Sequence, residues 1–119
     1  MLAETLKKIV DETPGARAAI LMGFDGIVVL QHLGEGSESL DMESLAMEFS
    51  FRFVGLRGAA ESLEMGELTD ITIKASAGTL VTRCLTSEYF VSVLLEDSGN
   101  LGKGRWMLRS NAKHLQAEL

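Results

Sequence analysis

The fold of this chain is decided by residues 18–30, which read AAILMGFDGIVVL. The first five positions are all apolar, as expected of a strand that is covered on both faces of its sheet. Asp25-Gly26 is typical of a tight two-residue turn with positive φ angles, and residues 27–30 return with β-branched side chains that suit a pleated surface. The segment therefore predicts a β-hairpin whose first strand lies inside a sheet.

Helices are predicted on both sides of this hairpin. Residues 2–13 carry a single apolar stripe, which indicates a short amphipathic helix. Residues 40–63 form the longest uninterrupted segment, with no proline and with Asp41 or Ser39 available as the cap. Gly66 lies just past its end, where glycine usually terminates a helix. The segment predicts a long central helix.

Three strands and a last helix complete the chain. Residues 68–75 alternate apolar and polar side chains, which is typical of an edge strand with one buried face. Residues 79–85 and 89–95 follow, and the second of these is apolar on both faces. The final helix covers about residues 103–119. Because strands that are apolar on both faces belong in the middle of a sheet, the first and last strands are expected to be neighbours.

The pattern as a whole predicts one α/β (α+β) domain over residues 1–119. Its expected architecture is a three-layer sandwich, in which a five-stranded antiparallel sheet carries helices on both faces. The order of elements is α-β-β-α-β-β-β-α. A length of 119 residues fits a single domain.

Composition and charge exclude several functions. The net charge of −6 opposes binding to a phosphate backbone, so we expect no nucleic-acid partner. No apolar run is long enough to cross a bilayer, and no secretory signal follows the first basic residues. We therefore expect a cytoplasmic protein that does not insert into membranes. A single cysteine, Cys84, allows neither an internal disulfide nor a cysteine zinc cluster.

The candidate catalytic motifs are all incomplete. Residues 99–104, GNLGKG, lack the spacing and the hydroxyl group of a phosphate-binding loop. Ser76 lies in a turn between two strands rather than between a strand and a helix, as a nucleophile elbow requires. Cys84 lies in a strand, with only His32 and His114 available as a base. We expect no catalytic, cofactor-binding or metal-binding residue, and no enzyme activity of the chain by itself.

The central helix is apolar on two sides. At about 100° per residue, the stripe that packs on the sheet consists of Met42, Leu45, Ala46, Phe49, Phe53, Leu56, Ala60 and Leu63. The opposite face carries Leu40, Met47, Phe51, Val54 and Gly58, with Gly55 beside them. A monomer should present charged residues there, and each helical glycine costs about 1 kcal/mol relative to alanine. We therefore expect another backbone to approach closely, as a twofold-related second helix would; coverage by a loop of the same chain is the alternative.

Trp106 is a weaker candidate contact on the last helix. It is out of phase with the apolar stripe of that helix, which includes Leu108, Ala112 and Leu115. Packing against the first helix is the favoured interpretation, and a contact with a partner is the alternative.

These residues together resemble the roadblock/dynein light-chain (Roadblock/LAMTOR) domain family, in its bacterial MglB-like branch. The resemblance covers nearly the whole chain. It is carried by residues 18–29 around the Asp-Gly turn, and by residues 99–102 followed by Arg105 and Leu108 at the entry to the last helix. It implies a homodimer in which the central helices pack together and the edge strands join two sheets into one.

The interface implied by the resemblance includes Ile71 and Ile73 of the edge strand. The resemblance also implies a partner, a small Ras-like GTPase on the two-helix surface, whose GTP hydrolysis is accelerated without an inserted arginine. Arg52 and Arg57 are therefore given no catalytic role. The hypothesis is a homodimeric regulator or scaffold for such a GTPase. The alternatives are a small-ligand sensor with a pocket between its layers and a non-regulatory subunit of a larger assembly.

Overall fold

The computed structural model describes residues 1–119. The elements follow one another in the predicted order, α-β-β-α-β-β-β-α. They are α1 (Leu2–Glu12), β1 (Ala16–Gly23), β2 (Val28–Leu33), α2 (Met42–Ser62), β3 (Asp70–Ala75), β4 (Gly78–Cys84), β5 (Tyr89–Leu95) and α3 (Leu101–Gln116). The differences from the prediction are shifts of a few residues at element ends.

The five strands form one antiparallel sheet in the order β2-β1-β5-β4-β3. The doubly apolar strands β1 and β5 are neighbours in its middle, and β3 lies at an edge, so both predictions are confirmed. β3 is in register with β4 through pairs such as Asp70 with Arg83 and Ile73 with Leu80. Ile71 and Ile73 therefore share one face of β3, while Asp70 lies on the other.

Helices cover both faces of the sheet. α1 and α3 pack on one face, over a core that takes Ala19 and Leu21 from β1. α2 packs on the opposite face, over a core that takes Ala18, Ile20 and Met22 from the same strand. This alternation is why β1 is apolar at every position from 18 to 22. None of the helices has both the length and the apolar composition that a membrane span needs.

The turn between β1 and β2 is longer than predicted. Gly26 has a φ of 85°, but Asp25 does not adopt a positive φ. The Gly26 N–H donates to the Gly23 carbonyl at 2.9 Å, and the Gly23 N–H donates to the Ile27 carbonyl at 2.9 Å. These bonds define a three-residue loop, in which a type I turn is followed by a left-handed glycine. The prediction of a two-residue turn is therefore wrong.

Helix α2 is capped at both ends. The Asp41 side chain accepts a hydrogen bond of 3.1 Å from the backbone N–H of Ser44, which selects one of the two predicted caps. At the other end Glu64 has a φ of 58°, and the Met65 N–H donates to the Ala60 carbonyl at 2.9 Å. This is the Schellman arrangement, whose left-handed position is usually held by glycine.

Candidate protein-interaction surfaces

Helix α2 buries one side against the sheet and leaves apolar side chains exposed elsewhere. Met42, Ala46 and Phe53 are completely buried. Phe51 is 60% exposed and Val54 is 44% exposed. Apolar side chains on the outward side of a surface helix mark a candidate contact with another protein.

The predicted interface residues fall on two flanks of α2. Leu40 and Ile73 lie together on the flank that faces the β3–β4 hairpin. Met47 and Phe51 lie near the β1–β2 turn, since a methyl group added to Gly26 would be 3.2 Å from Met47 Cγ and 3.7 Å from Phe51 Cζ. Leu40 precedes the first helical residue, so helical phase does not apply to it. Its prediction on the same face as Met47 and Phe51 is therefore wrong.

We call the first of these surfaces the hairpin groove. It is an open apolar cleft of about 270 Å³ between Leu45 and Phe49 of α2 and Ile73 of β3, lined also by Leu80 and Leu94. The groove exists because α2 packs mainly over β1 and β2. The sheet beside it, under β3 and β4, is therefore left partly uncovered on this face.

The hairpin groove opens onto a free strand edge. β3 pairs with β4 on one side and has no neighbour on the other. Ile71 and Ile73 are half-buried on the groove side, while Thr72 and Lys74 are exposed on the opposite face. The free edge presents unpaired backbone donors and acceptors, which another strand can bind.

We call the second surface the turn surface. It consists of the exposed apolar side chains Ile27, Met47, Phe51 and Val54. Gly55 and Gly58 lie on the exposed side of α2, and a methyl group added at either glycine would meet no atom within 4 Å. Packing inside the protomer therefore does not require a glycine at either position.

A chain of aromatic rings connects the turn to the hairpin groove. The Phe24 and Phe90 rings are 5.2 Å apart, Phe90 and Phe53 meet edge to face at 5.2 Å, and Phe53 and Phe49 stack at 6.0 Å between centroids. Three of these side chains are buried, and Phe49 lines the groove. The packed rings fix the position of the two surfaces relative to each other.

The polar groups nearby have limited chemical roles. On the exposed side of α2, Arg52 is paired with Glu48 at 3.3 Å. Burial raises the pKa of the Cys84 thiol, which keeps it protonated at neutral pH and opposes its reaction as a nucleophile. No three His, Cys, Asp or Glu side chains are grouped so that they could hold a metal ion.

Trp106 does not pack as the favoured interpretation expected. It is 51% exposed and lies beside Asp70 and Arg83, on the β3 side of α3. The first helix packs against β1, β2 and α3, but none of its residues lines the cleft in which Trp106 lies. The interpretation of Trp106 as a contact with α1 is therefore wrong.

Comparison with known proteins gives matches among solved structures. No family model and no curated protein matches the chain. MglC from Myxococcus xanthus is 34% identical, over 99% of this chain and 98% of its own, with a TM-score of 0.72. The gliding protein MglB from Thermus thermophilus is 17% identical, over 97% of this chain and 85% of its own, with a TM-score of 0.86. A Roadblock/LC7 domain from Streptomyces avermitilis is 16% identical, over 97% and 94%, with a TM-score of 0.79.

The open antiparallel sheet, with one helix on one face and two on the other, defines the class as a roadblock/LC7 domain. The chain belongs to this family, in the bacterial branch that contains MglB and MglC. The resemblance carried by residues 18–29 and 99–102 is thereby confirmed.

Proposed function

We propose that this chain is a homodimeric regulatory or scaffold protein that binds a small Ras-like GTPase and modulates its GTP hydrolysis. The observation that carries the proposal is the hairpin groove, an uncovered apolar cleft that is continuous with the free edge of β3. Membership of the roadblock family supports a second copy of the chain as the occupant of that groove, and a small GTPase as the further partner.

The sequence of β3 is complementary to itself about Thr72. If two copies pair antiparallel about a twofold axis at this residue, Ile71 lies opposite Ile73 of the second copy, and Asp70 lies opposite Lys74. Directly opposite residues of antiparallel strands are side-chain neighbours. The pairing therefore forms two apolar pairs on the groove face and two pairs of opposite charge on the other face.

The same axis brings the two hairpin grooves together. Each copy contributes Leu45, Phe49 and Ile73 to its own groove, and a twofold interface uses the same patch on both copies. Leu56, which is 48% exposed, continues the flank of α2 toward its C-terminal end. The grooves and the paired strands thus form one apolar interface.

The turn surface stays free in this dimer because it lies on the opposite flank of α2. We assign the GTPase to it, with Phe51 as the most exposed apolar side chain that α2 contributes. Arg57 contacts the Phe24 ring and the Ser87 carbonyl of its own protomer. Arg52 is paired on the helix surface. The proposal therefore places the catalytic groups for hydrolysis in the GTPase itself.

Sedimentation equilibrium tests the dimer. The wild type is expected to be a dimer and Ile73→Asp a monomer, because a carboxylate in the groove would have to be desolvated on association. Val29→Asp is the matched control, since Val29 is an exposed apolar residue on the opposite edge strand, and it should leave the dimer intact. A monomeric wild type, or a dimeric folded Ile73→Asp variant, would contradict the proposal.

GTP hydrolysis by a small GTPase encoded beside this gene tests the partner. The chain is expected to bind the GTPase and change its hydrolysis rate, and Phe51→Glu is expected to remove both effects while remaining dimeric. Trp106→Glu is the control, because Trp106 is an exposed aromatic residue on the other face of the sheet. If neither binding nor the rate depends on Phe51, the assignment of the turn surface is wrong.

A further inference from the structure

The positive charge of this acidic protein is concentrated on its last helix. α3 contains four of the eleven lysine and arginine residues and none of the seventeen aspartate and glutamate residues. The basic residues are Lys103, Arg105, Arg109 and Lys113. The face of the sheet that carries α3 thus contrasts with a chain whose net charge is −6.

Part of this charge lines a groove between α3 and the sheet, which we call the basic groove. Gly102, Arg105, Trp106 and Arg109 form its helical wall, at spacings of three, four and seven residues. Its other side is formed by residues of β3 and β4, including Asp70, Val81 and Arg83, and its volume is about 570 Å³. The groove exists because α3 packs over β4 and β5, and no residue of the edge strand β3 belongs to the core beneath it.

Two of the arginines in the basic groove have no partner. Arg105 is paired with Asp70 at 3.2 Å, and Asp70 is the only carboxylate among the lining residues. Arg83 and Arg109 form no ion pair and no side-chain hydrogen bond in the protomer. Because a guanidinium group has five N–H donors and no acceptor, these two side chains are available to an anionic ligand.

We propose that the basic groove binds an extended acidic segment of a partner protein. Arg83 is half-buried on the strand side of the groove, where a polypeptide side chain can reach it and the flat surface of a bilayer cannot. The Lys103 ammonium lies 4.9 Å from the centroid of the Trp106 ring, and the rest of the exposed ring surface adds an apolar contact that a chain of mixed acidic and apolar residues can use. All the residues that line the groove belong to one protomer, so the site does not require the proposed dimer, in which Lys74 of the second copy would lie opposite Asp70 at the edge of the groove.

The spacing of the arginines fits such a segment. Residues four apart on a helix have Cβ atoms about 5–6 Å apart. Alternate side chains of an extended chain are about 6.6 Å apart, at about 3.3 Å per residue. Carboxylates at alternate positions can therefore meet Arg105 and Arg109, while an apolar residue between them faces away or contacts Trp106. The helical wall from Gly102 to Arg109 is about 10 Å long, which accommodates about three extended residues.

The emission of Trp106 provides a local test, because it is the only tryptophan in the chain and it lines the groove. A short unlabelled peptide of alternating glutamate and leucine is titrated into the full chain, beside the glutamine–leucine and lysine–leucine peptides. We expect a saturable change with the acidic peptide only, and a loss of affinity when NaCl rises from about 0.05 M to about 0.5 M.

Variants that lower or raise the affinity for the acidic peptide, compared with a control of equal charge, show whether the peptide binds in the basic groove. Arg83→Glu/Arg109→Glu is expected to lower the affinity for the acidic peptide about tenfold or more. Lys7→Glu/Lys8→Glu makes the same change in net charge on exposed positions of α1, and it should leave the affinity almost unchanged. Asp70→Asn is expected to raise the affinity, because it removes the carboxylate that competes for Arg105. Because Arg83 is half-buried, the double variant can fail to fold. Arg109→Glu alone is then the test variant, and it is expected to lower the affinity for the acidic peptide by a smaller factor.

The other outcomes overturn the proposal. If Trp106 responds to phosphatidylserine vesicles and not to the acidic peptide, the groove is a membrane-binding site. If inorganic phosphate competes fully at low concentration, it is a small-anion site. If the α1 control variant weakens binding as much as the groove variant, the peptide binds by net charge alone. The dimer and the GTPase assay are measured on the same variants, so a failure of the basic groove is distinguishable from a failure of the proposed function.

Discussion

The guanidinium carbon of Arg57 lies 4.0 Å from the centroid of the Phe24 ring, and Arg57 Nη1 donates a hydrogen bond of 2.9 Å to the Ser87 carbonyl. One side chain of α2 thus holds two separate turns, the β1–β2 turn and the β4–β5 turn. Phe24 in turn contacts Phe90 and the aromatic chain beneath α2. The turn surface is therefore built on a connected set of contacts rather than on an independent loop.

Arg57→Ala is expected to lower the free energy of unfolding by about 1–2 kcal/mol. The loss combines a cation–π contact with a hydrogen bond to the backbone. Arg57→Lys should recover part of the cation–π contribution and none of the hydrogen-bond contribution. Urea denaturation measures both, with Arg52→Ala as the control, since Arg52 is paired only with an exposed glutamate on its own helix and should cost less. Equal losses for the two alanine variants would show that the contacts of Arg57 are not stabilising.

Glu64→Gly is expected to stabilise the protein by about 1 kcal/mol. Glu64 is the only residue other than glycine with a positive φ, at 58°, and glycine removes the steric cost of that conformation. The predicted helix-ending glycine, Gly66, lies two residues further along and does not hold this position. Glu61→Gly, inside the last turn of α2, should instead destabilise the protein. Thermal unfolding of both variants checks the prediction, and a destabilised Glu64→Gly variant would contradict it.

Gly55→Ala and Gly58→Ala are each expected to stabilise the protomer by about 0.5–1 kcal/mol, because alanine is the better helix former and an added methyl group meets nothing within 4 Å. If the GTPase backbone approaches closely at these positions, both substitutions also weaken its binding. Unfolding curves and a GTPase titration on the same variants separate the two effects. Higher stability with unchanged GTPase affinity would show that the GTPase backbone does not pack against these glycines.

The stabilisation that the Asp41 cap gives to α2 depends on pH. The hydrogen bond from the backbone N–H of Ser44 lowers the pKa of the Asp41 carboxyl below its ordinary value of 3.8. Because the folded-state pKa is the lower one, the stabilisation is complete well above pH 3.8 and is lost as the pH falls through the folded value. Asp41→Asn should therefore be less stable than the wild type near neutral pH, with the difference shrinking in acid. Denaturant midpoints across this range measure it, and a constant difference would contradict the assignment.

Much of the fold could be predicted from the sequence because its signals are local. The apolar run of residues 18–22 placed β1 inside the sheet, and the polar positions Asp70, Thr72 and Lys74 placed β3 at an edge. The length of the β1–β2 turn could not be predicted in this way. Asp25-Gly26 is compatible with two turn types, and the choice depends on the hydrogen bonds between the strands.

Less of the candidate site than of the fold could be predicted from the sequence. Helical periodicity gives the phase of each side chain around α2, but not where the helix lies across the sheet. Leu45 and Phe49, assigned to the stripe that packs on the sheet, do pack against its core and also line the hairpin groove. Leu56 and Leu63 were assigned to the same stripe but are exposed, so that part of the prediction is wrong. The basic groove depends on Asp70 and Arg83 meeting α3, and their distance along the sequence hides this contact.

The proposed dimer pairs β3 with itself about Thr72. Thr72→Cys tests it most directly, because the two introduced thiols would lie opposite each other across the axis at a separation that allows a disulfide. Lys74→Cys is the matched control on the same face, since its two copies would be about 13 Å apart along the strands. We expect a covalent dimer of Thr72→Cys under mild oxidation, and none for Lys74→Cys or the wild type with its native Cys84. A Thr72→Cys variant that stays folded and does not cross-link, or that cross-links no faster than Lys74→Cys, would contradict it.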